Sequence, residues 1–94
     1  MQAHAPAVTV WVQGTLLKLT HDRPTVEAHG STVRELIEDL DGRFPGFRDA
    51  IVQEDLVLRP GISVAVDGHV VKRGLLHPVA PGSEVYIIPA IGGG

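Results

Sequence analysis

The sequence predicts an α+β domain in which one main helix packs on one face of a mixed sheet of four to five strands. Two observations lead to this prediction. Near the N-terminus Val8, Val10 and Val12 alternate with polar or aromatic residues, as in a strand with one buried face. A single segment with helical spacing follows, and strand-like segments occupy most of the chain after it. The 94 residues suffice for one domain with a single core.

The first strand needs an antiparallel partner, and two segments could supply it. Gly14 ends the alternation that begins at Val8. Residues 16–19 and residues 25–28 both have strand character, and residues 21–24 form a loop between them. The pattern alone does not choose between these two segments.

The helical segment has a polar start and an apolar stripe. Thr32 and Glu35 have capping-box spacing, so Ser31 or Thr32 is the expected N-cap. Gly42 followed by Pro45 is expected to end the helix. Four acids (Glu35, Glu38, Asp39 and Asp41) lie mostly on the other side and predict a solvated face. The stripe consists of Val33, Leu36, Ile37, Leu40 and Phe44.

The second half of the chain predicts a short helical turn, a hairpin and a final strand. Asp67-Gly68 is a hairpin signal, because a type I′ turn needs positive φ at both positions. The last strand covers residues 84–88, and Pro89 is expected to end it because a central ladder does not tolerate proline. The turn covers the end of the core through Phe47, Ile51 and Leu56, and the hairpin strand contributes Ile62, Val64 and Val66.

The order of elements predicts the topology. A right-handed crossover after the helix places the last strand beside the first and parallel to it, which is the β-grasp arrangement. The core then consists of the inner side of the first strand, the helix stripe and the hairpin valines. We expect residues 1–7 to be a disordered lead-in, residues 8–89 to form the domain, and residues 90–94 to be a flexible tail.

Composition excludes several classes of function. A net charge of −3 argues against a nucleic-acid partner, and no apolar stretch is long enough for a membrane span. The N-terminus lacks the features of a signal peptide, so we expect a cytoplasmic protein. The chain has no cysteine, which excludes disulfides and a cysteine nucleophile. We expect no metal site, because the five histidines lack metal-pair spacing: His4, His21, His29, His69 and His77.

The glycine run at the end of the sequence is the strongest functional candidate. Gly92, Gly93 and Gly94 contribute nothing to folding stability, but three residues without Cβ atoms can thread a narrow channel. Neither Ser31 nor Ser63 has a motif for nucleophilic catalysis. By elimination, the reactive group is the carboxylate of Gly94. The alternative is an incidental flexible end.

The sequence resembles the ubiquitin-like sulfur carrier proteins, which include the thiamin-pathway carrier, the small subunit of molybdopterin synthase and the actinobacterial cysteine-biosynthesis carrier. The resemblance runs from Val8 to Gly94 and is greatest to the cysteine-pathway carriers, through the ending P-A-x-x-G-G. Gly92 is a departure, since many relatives have alanine there. The matching segments are V-T-V, T-V-R-E-L-I-E-D-L, V-A-V-D-G-H and P-G-S-E-V-Y-I-I-P-A-I-G-G-G.

The resemblance implies a role as a protein co-substrate and not as an enzyme. An E1-like adenylyltransferase of the thiamin and molybdopterin pathway type would use ATP to adenylate Gly94. A sulfur donor would then convert it to a thiocarboxylate that donates sulfur to a biosynthetic acceptor enzyme. Ala90, Ile91, Gly92 and Gly93 would thread the partner's active site, and the carrier would hold no cofactor permanently and be a monomer when free.

Three alternatives keep the fold and change the function: a protein modifier joined to target lysines through Gly94, a subunit of a molybdopterin-synthase-like enzyme, and an interaction module with an incidental tail. Strand parity also predicts a docking patch. If Val8, Val10 and Val12 point inward, Trp11 points outward, and the same alternation sends Tyr86 and Ile88 outward. We expect the activating enzyme to dock there, unless the opening residues or residues 47–58 fold over the patch.

Overall fold

The computed structural model describes residues 7–54, 57–72 and 74–89. The predicted lead-in, apart from Ala7, and the tail lie outside these residues. Two 3₁₀ helices cover Gly14–Thr20 and Gly74–Leu76. The strands and α-helices are β1 (Ala7–Val12), β2 (Thr25–His29), α1 (Val33–Arg43), α2 (Phe47–Ile51), β3 (Val52–Glu54), β4 (Val57–Leu58), β5 (Ile62–Val66), β6 (His69–Val70) and β7 (Glu84–Pro89).

Five strands form one mixed sheet in the order β2-β1-β7-β5-β6. β1 and β7 are parallel, with Val10 level with Val85 and Val12 level with Ile87. The other neighbouring pairs are antiparallel, and β3 with β4 forms a separate two-stranded ladder. The predicted β-grasp topology is therefore confirmed, with the last strand in the centre of the sheet beside the first.

The structure chooses the second of the two candidate partners for β1. Thr25–His29 forms β2, whereas residues 16–19 lie in the first 3₁₀ helix. That segment is held by burial of Leu16 and of Thr20, whose hydroxyl donates a hydrogen bond to the Arg23 carbonyl oxygen at 2.8 Å. An alternating strand would point Leu17 and Leu19 to the face opposite Leu16. In the 3₁₀ helix Leu16 is buried, and Leu17 and Leu19 are partly buried and pack against the same core.

The start of α1 uses both predicted capping residues. The Thr32 hydroxyl accepts a hydrogen bond from the Glu35 N–H at 3.2 Å. The Glu35 carboxylate accepts from the Ser31 N–H at 2.7 Å, and this bond holds the pKa of Glu35 below its usual value. The box is therefore closed one residue earlier than in the usual pattern, where the glutamate bonds the N-cap itself.

The predicted end of α1 between Gly42 and Pro45 is confirmed, with Arg43 as the last helical residue. Phe44 is the C-cap with φ −126° and ψ 83°, and its N–H donates to the Leu40 carbonyl oxygen at 2.7 Å. Pro45 explains this position, since the residue before a proline is driven out of helical geometry. Proline and not glycine therefore decides where α1 ends.

The core lies between α1 and one face of the sheet. It contains the whole predicted helix stripe, Phe47 and Ile51 of α2, and the inward residues of β1, β5 and β7. Ile62 is half-buried and packs against this core from its margin, at the end of β5 opposite Pro89. Leu56 lies outside the described residues.

The Asp67-Gly68 turn joins β5 to β6 as predicted. Both residues have positive φ, 51° and 88°. The Asp67 carboxylate also accepts a hydrogen bond from the Glu84 N–H at 2.9 Å, and this bond holds the pKa of Asp67 below its usual value. The turn is therefore fixed to the first residue of the central strand.

The prediction that Pro89 lies beyond the last strand is wrong, because Pro89 is the final residue of β7 and pairs with Ile62 of β5. Pairing with β1 ends two residues earlier, at Val12 and Ile87. Pro89 has no N–H to donate, but it lies beyond the last pair of β1 with β7, so it removes no hydrogen bond from that parallel ladder.

The outer edge of β2 is occupied by side chains of α1. The His29 N–H donates to the Asp39 carboxylate at 3.0 Å, and the Arg43 guanidinium donates to the Glu27 carbonyl oxygen. Asp39 and Arg43 are themselves joined at 3.0 Å. This ion pair satisfies backbone groups that would otherwise be open to strand addition. None of the helices in the described ranges is long and apolar enough to cross a membrane.

Candidate functional site

A row of outward-facing residues crosses the sheet on the side opposite α1. The strand registers place Trp11 of β1 level with Tyr86 of β7, and Tyr86 level with Ala65 of β5. Ala65 in turn lies level with Val70 of β6, and Trp11 with Thr25 of β2. Paired residues share a face of a sheet, so these five side chains form one continuous row. We call it the outer row.

Two aromatic side chains stack at the centre of the outer row. The ring centroids of Trp11 and Tyr86 are 5.5 Å apart and their planes are inclined by 13°. Such a stacked pair stabilises its own geometry by about 0.5–1.5 kcal/mol beyond the area it buries. The indole Nε1 of Trp11 is buried, without a hydrogen-bond partner among the described residues. The two stacked rings therefore form an apolar centre of the outer row.

The strand parity predicted for Trp11, Tyr86 and Ile88 agrees with the structure. All three face away from the core, but each is half-buried and not fully exposed. For Trp11 and Tyr86 the stack reduces exposure, since it covers one face of each ring. Phe47 and Ile51 of α2 lie in the core with α1, so α2 does not cover the patch.

Sequence reasoning missed three members of the outer row, which are Thr25, Ala65 and Val70. Val70 is 64% exposed and Ala65 is 7% exposed. The signal that could have found Val70 is the two-residue turn at Asp67-Gly68, because it fixes the hairpin register and so places Val70 opposite Ala65. The apolar surface therefore extends from β1 across to the edge strand β6.

Acidic residues border the outer row on the side away from the tail. Thr9 lies level with Glu27 of β2 and with Glu84 of β7. The Tyr86 hydroxyl donates a hydrogen bond to the Glu84 carboxylate at 3.1 Å, and this bond raises the pKa of Tyr86. With Asp67 bonded to the Glu84 N–H, the border carries three carboxylates. A complementary partner surface would be apolar in its centre and basic along one side.

The predicted tail begins directly beyond this surface. Ile88 lies on the outer face and is followed by Pro89, the last described residue. The residues predicted to thread a partner active site (Ala90, Ile91, Gly92 and Gly93) and the predicted sulfur-carrying residue, Gly94, lie outside the described residues. Their roles remain predictions, as does docking at Trp11, Tyr86 and Ile88.

The described residues contain no group of three or more histidine, aspartate or glutamate side chains placed to hold a metal ion. His21 contacts the Phe44 ring, with centroids 5.5 Å apart, and the His29 N–H bonds to Asp39. The His21 ring therefore lies against Phe44, whereas the bond of His29 to α1 is made by its backbone.

Comparisons with known proteins give one family and a set of similar structures. The sequence pattern of the ThiS family matches residues 10–94. A chain of the BexX/CysO complex from Amycolatopsis orientalis is 36% identical, with 93% of this chain and 99% of that chain covered and a TM-score of 0.85. CysO from Mycobacterium tuberculosis, described as an antigen, is 26% identical, with 89% and 99% covered and a TM-score of 0.82.

More distant structures share the fold alone. The small archaeal modifier protein 1 from Methanosarcina acetivorans is 20% identical, with 98% of this chain and 100% of that chain covered and a TM-score of 0.79. A search of curated protein sequences gave no match.

Proposed function

Because the chain belongs to the ThiS family of ubiquitin-like sulfur carriers, we propose that the carboxylate of Gly94 carries sulfur as a thiocarboxylate. The observation that supports this proposal is the position of β7. This central strand is paired on both sides, carries two residues of the apolar outer surface, and leads directly to the glycine tail. A partner held on the outer surface therefore has the tail within reach.

The proposed chemistry has two steps. The Gly94 carboxylate attacks the α-phosphate of ATP in the active site of an E1-like adenylyltransferase, so an acyl-adenylate forms and pyrophosphate leaves. Hydrosulfide then attacks the acyl carbon, AMP leaves, and a proton is released as the thiocarboxylate forms. The carrier is a co-substrate in both steps, and the groups that bind and orient ATP belong to the partner.

The reach of the tail limits where the partner's active site can lie. Five residues follow Pro89 in the sequence, and a fully extended chain spans about 3.3–3.6 Å per residue, or roughly 17 Å in total. We propose that the activating enzyme docks on Trp11, Tyr86 and Ile88 with its adenylation site within that distance. The sulfur acceptor is an enzyme of cysteine synthesis or of another thiolated metabolite, and it would use the same short reach.

Intact mass tests the proposal. The protein is incubated with ATP, its cognate adenylyltransferase and a sulfide source. We expect a mass increase equal to the exchange of one oxygen for sulfur, located in the C-terminal peptide. Covalent adducts on lysines of other proteins would identify a protein modifier instead. The proposal would be contradicted if the mass of this protein did not change with an adenylyltransferase preparation that is shown to be active on another carrier.

Gly94→Ala tests the requirement for bare backbone in the tail. We expect the melting temperature to stay unchanged, because the position lies beyond β7. The added methyl group obstructs a channel shaped for glycine, and misplacement of the reacting atom by about 1 Å costs roughly a hundredfold in rate. Pyrophosphate exchange measures the adenylation rate.

Gly42→Ala is the matched control for this substitution. It is the same chemical change in α1, where a Cβ would contact nothing within 4 Å. It should adenylate at the wild-type rate and be more stable by about 0.5–1 kcal/mol. Wild-type adenylation of Gly94→Ala would contradict the threading step.

A further inference from the structure

Gly14 and Pro89 lie side by side where β1 and β7 end. The last parallel pair is Val12 with Ile87, and Gly14 and Pro89 each follow a member of that pair by two residues. Gly14 has φ +61°, and a Cβ built on it would lie 3.2 Å from the Cγ atom of Pro89. This distance is shorter than ordinary carbon contacts of about 3.5–4.0 Å. The missing side chain at residue 14 therefore makes room for the proline ring.

The surroundings decide which of the two residues would move if this space were filled. The first 3₁₀ helix begins at Gly14 and is anchored by buried Leu16 and fully buried Thr20. Pro89 is half-buried and lies at the end of its strand, where pairing with β1 has stopped and only Ile62 of β5 remains opposite. A larger residue at position 14 would therefore displace Pro89 and leave the first 3₁₀ helix in place.

We propose that Gly14 is a positioning residue, and that its bare backbone seats Pro89 and so sets the direction in which the tail leaves the sheet. Pro89 has a fixed φ, so its position determines where the next peptide begins. A tail that starts from one fixed place and direction loses less freedom when it enters a partner's active site. The inference rests on the proposed function, because the direction of the tail matters only if Gly94 is delivered to a partner's active site.

Gly14→Ala compared with Gly74→Ala tests the inference. The two glycines have nearly the same φ, +61° and +59°, so alanine meets the same backbone strain at both. A Cβ at Gly74 would lie at an ordinary 3.9 Å from Leu58 Cδ1. With the cognate adenylyltransferase we expect Gly14→Ala to lower kcat about five- to tenfold and KM to change less than about twofold. Gly74→Ala should retain the wild-type kcat.

A double-mutant cycle separates the contact from a general effect on stability. Pro89→Ala removes the Cγ atom that the new methyl group would meet. We expect Pro89→Ala itself to lower kcat, and Gly14→Ala in that background to lower it by less than about twofold more. Equal losses of kcat in Gly14→Ala and Gly74→Ala, or an undiminished effect of Gly14→Ala in the Pro89→Ala background, would overturn the inference.

A structural measurement distinguishes failure of this inference from failure of the proposed function. The ¹³C chemical shifts of the Pro89 ring in the free protein should change in Gly14→Ala and stay unchanged in Gly74→Ala. If the wild-type chain is never adenylated, the proposed function fails and these shifts still test whether Gly14 seats Pro89. Unchanged Pro89 chemical shifts in Gly14→Ala would refute the proposal that Gly14 positions the Pro89 ring.

Discussion

The two faces of the sheet are built from the same strands but differ in what covers them. On the inner face Val8, Val10 and Val12 are at most 3% exposed, beneath α1. On the outer face of the same strand Trp11 stays half-buried, in contact mainly with Tyr86. Burial against α1 supplies the folding energy. The outer row is covered by no helix and is expected to add less to that energy, and we propose that its apolar side chains serve a partner.

Truncation of the inner face should have the largest effect. Leu40 is fully buried at the centre of the helix stripe, so Leu40→Ala removes apolar contacts and leaves a cavity. We expect the free energy of unfolding to fall by about 2–5 kcal/mol, as in other buried leucine truncations. Urea unfolding followed by circular dichroism measures the loss. A loss below about 1 kcal/mol would mean that the core relaxes around the cavity.

Truncation of the outer face should weaken binding more than folding. The double variant Trp11→Ala with Ile88→Ser removes the stack and the apolar residue beside the tail. We expect the KM for the activating enzyme to rise about thirtyfold, which corresponds to roughly 2 kcal/mol of binding energy. The free energy of unfolding should fall by only about 1–2 kcal/mol.

Leu76→Ser is the matched control for the outer face. Leu76 is 55% exposed on the second 3₁₀ helix and lies outside the outer row. The Leu76→Ser substitution removes an exposed apolar side chain but leaves the proposed docking surface unchanged, so KM should stay at the wild-type value. A double variant that folds and keeps the wild-type KM would show that the patch is not the docking surface. A double variant that unfolds would show that these residues belong to the core.

The outer edge of β2 is covered by the side chains of Asp39 and Arg43. Replacing both with alanine frees the Glu27 carbonyl oxygen and the His29 N–H at the edge of β2 from these partners. We expect a loss of about 1 kcal/mol in the free energy of unfolding, since exposed pairs and single hydrogen bonds are worth about this much. We also expect self-association through β2, which sedimentation velocity detects.

Arg34→Ala with Glu38→Ala is the control for the edge. This pair has the same i, i+4 spacing on α1 and the same 3.0 Å separation. It should lower stability slightly and leave the sedimentation coefficient unchanged. Self-association of both double variants would show that lost surface charge, and not the opened edge, is the cause.

The smallest expected effect concerns pH and the hairpin at the outer face. The bond from the Glu84 N–H lowers the pKa of Asp67 from its ordinary 3.8. A carboxyl with a lowered pKa in the folded state stabilises the protein fully above its unfolded value, and this contribution is lost as the pH falls through the folded value. Asp67→Asn keeps a residue that tolerates positive φ and should flatten the decline in stability below about pH 4. Thermal melts across about pH 2–5 measure the slope, and an unchanged slope would contradict this account.

The elements that could be predicted from sequence were those set by local patterns. The alternation in β1, the stripe of α1 and the Asp67-Gly68 turn each arise within a few residues, because side-chain periodicity and turn geometry are local properties. The helix end at Arg43 also follows from a local signal, because Pro45 drives Phe44 out of helical geometry. The outer row was found only in part, since Val70 joins it through a register that links two strands.

The sequence by itself determined the class of fold and the family, because these depend on periodicity and motif. It also predicted the glycine tail as the functional end, which stays a prediction. Only the tertiary structure decided which segment pairs with β1, that Trp11 stacks on Tyr86, and that Gly14 lies against Pro89. Each of these depends on contacts between residues more than ten positions apart in the chain. Local preference does not encode such contacts, because their energy is gained only when the sheet has closed around a shared core.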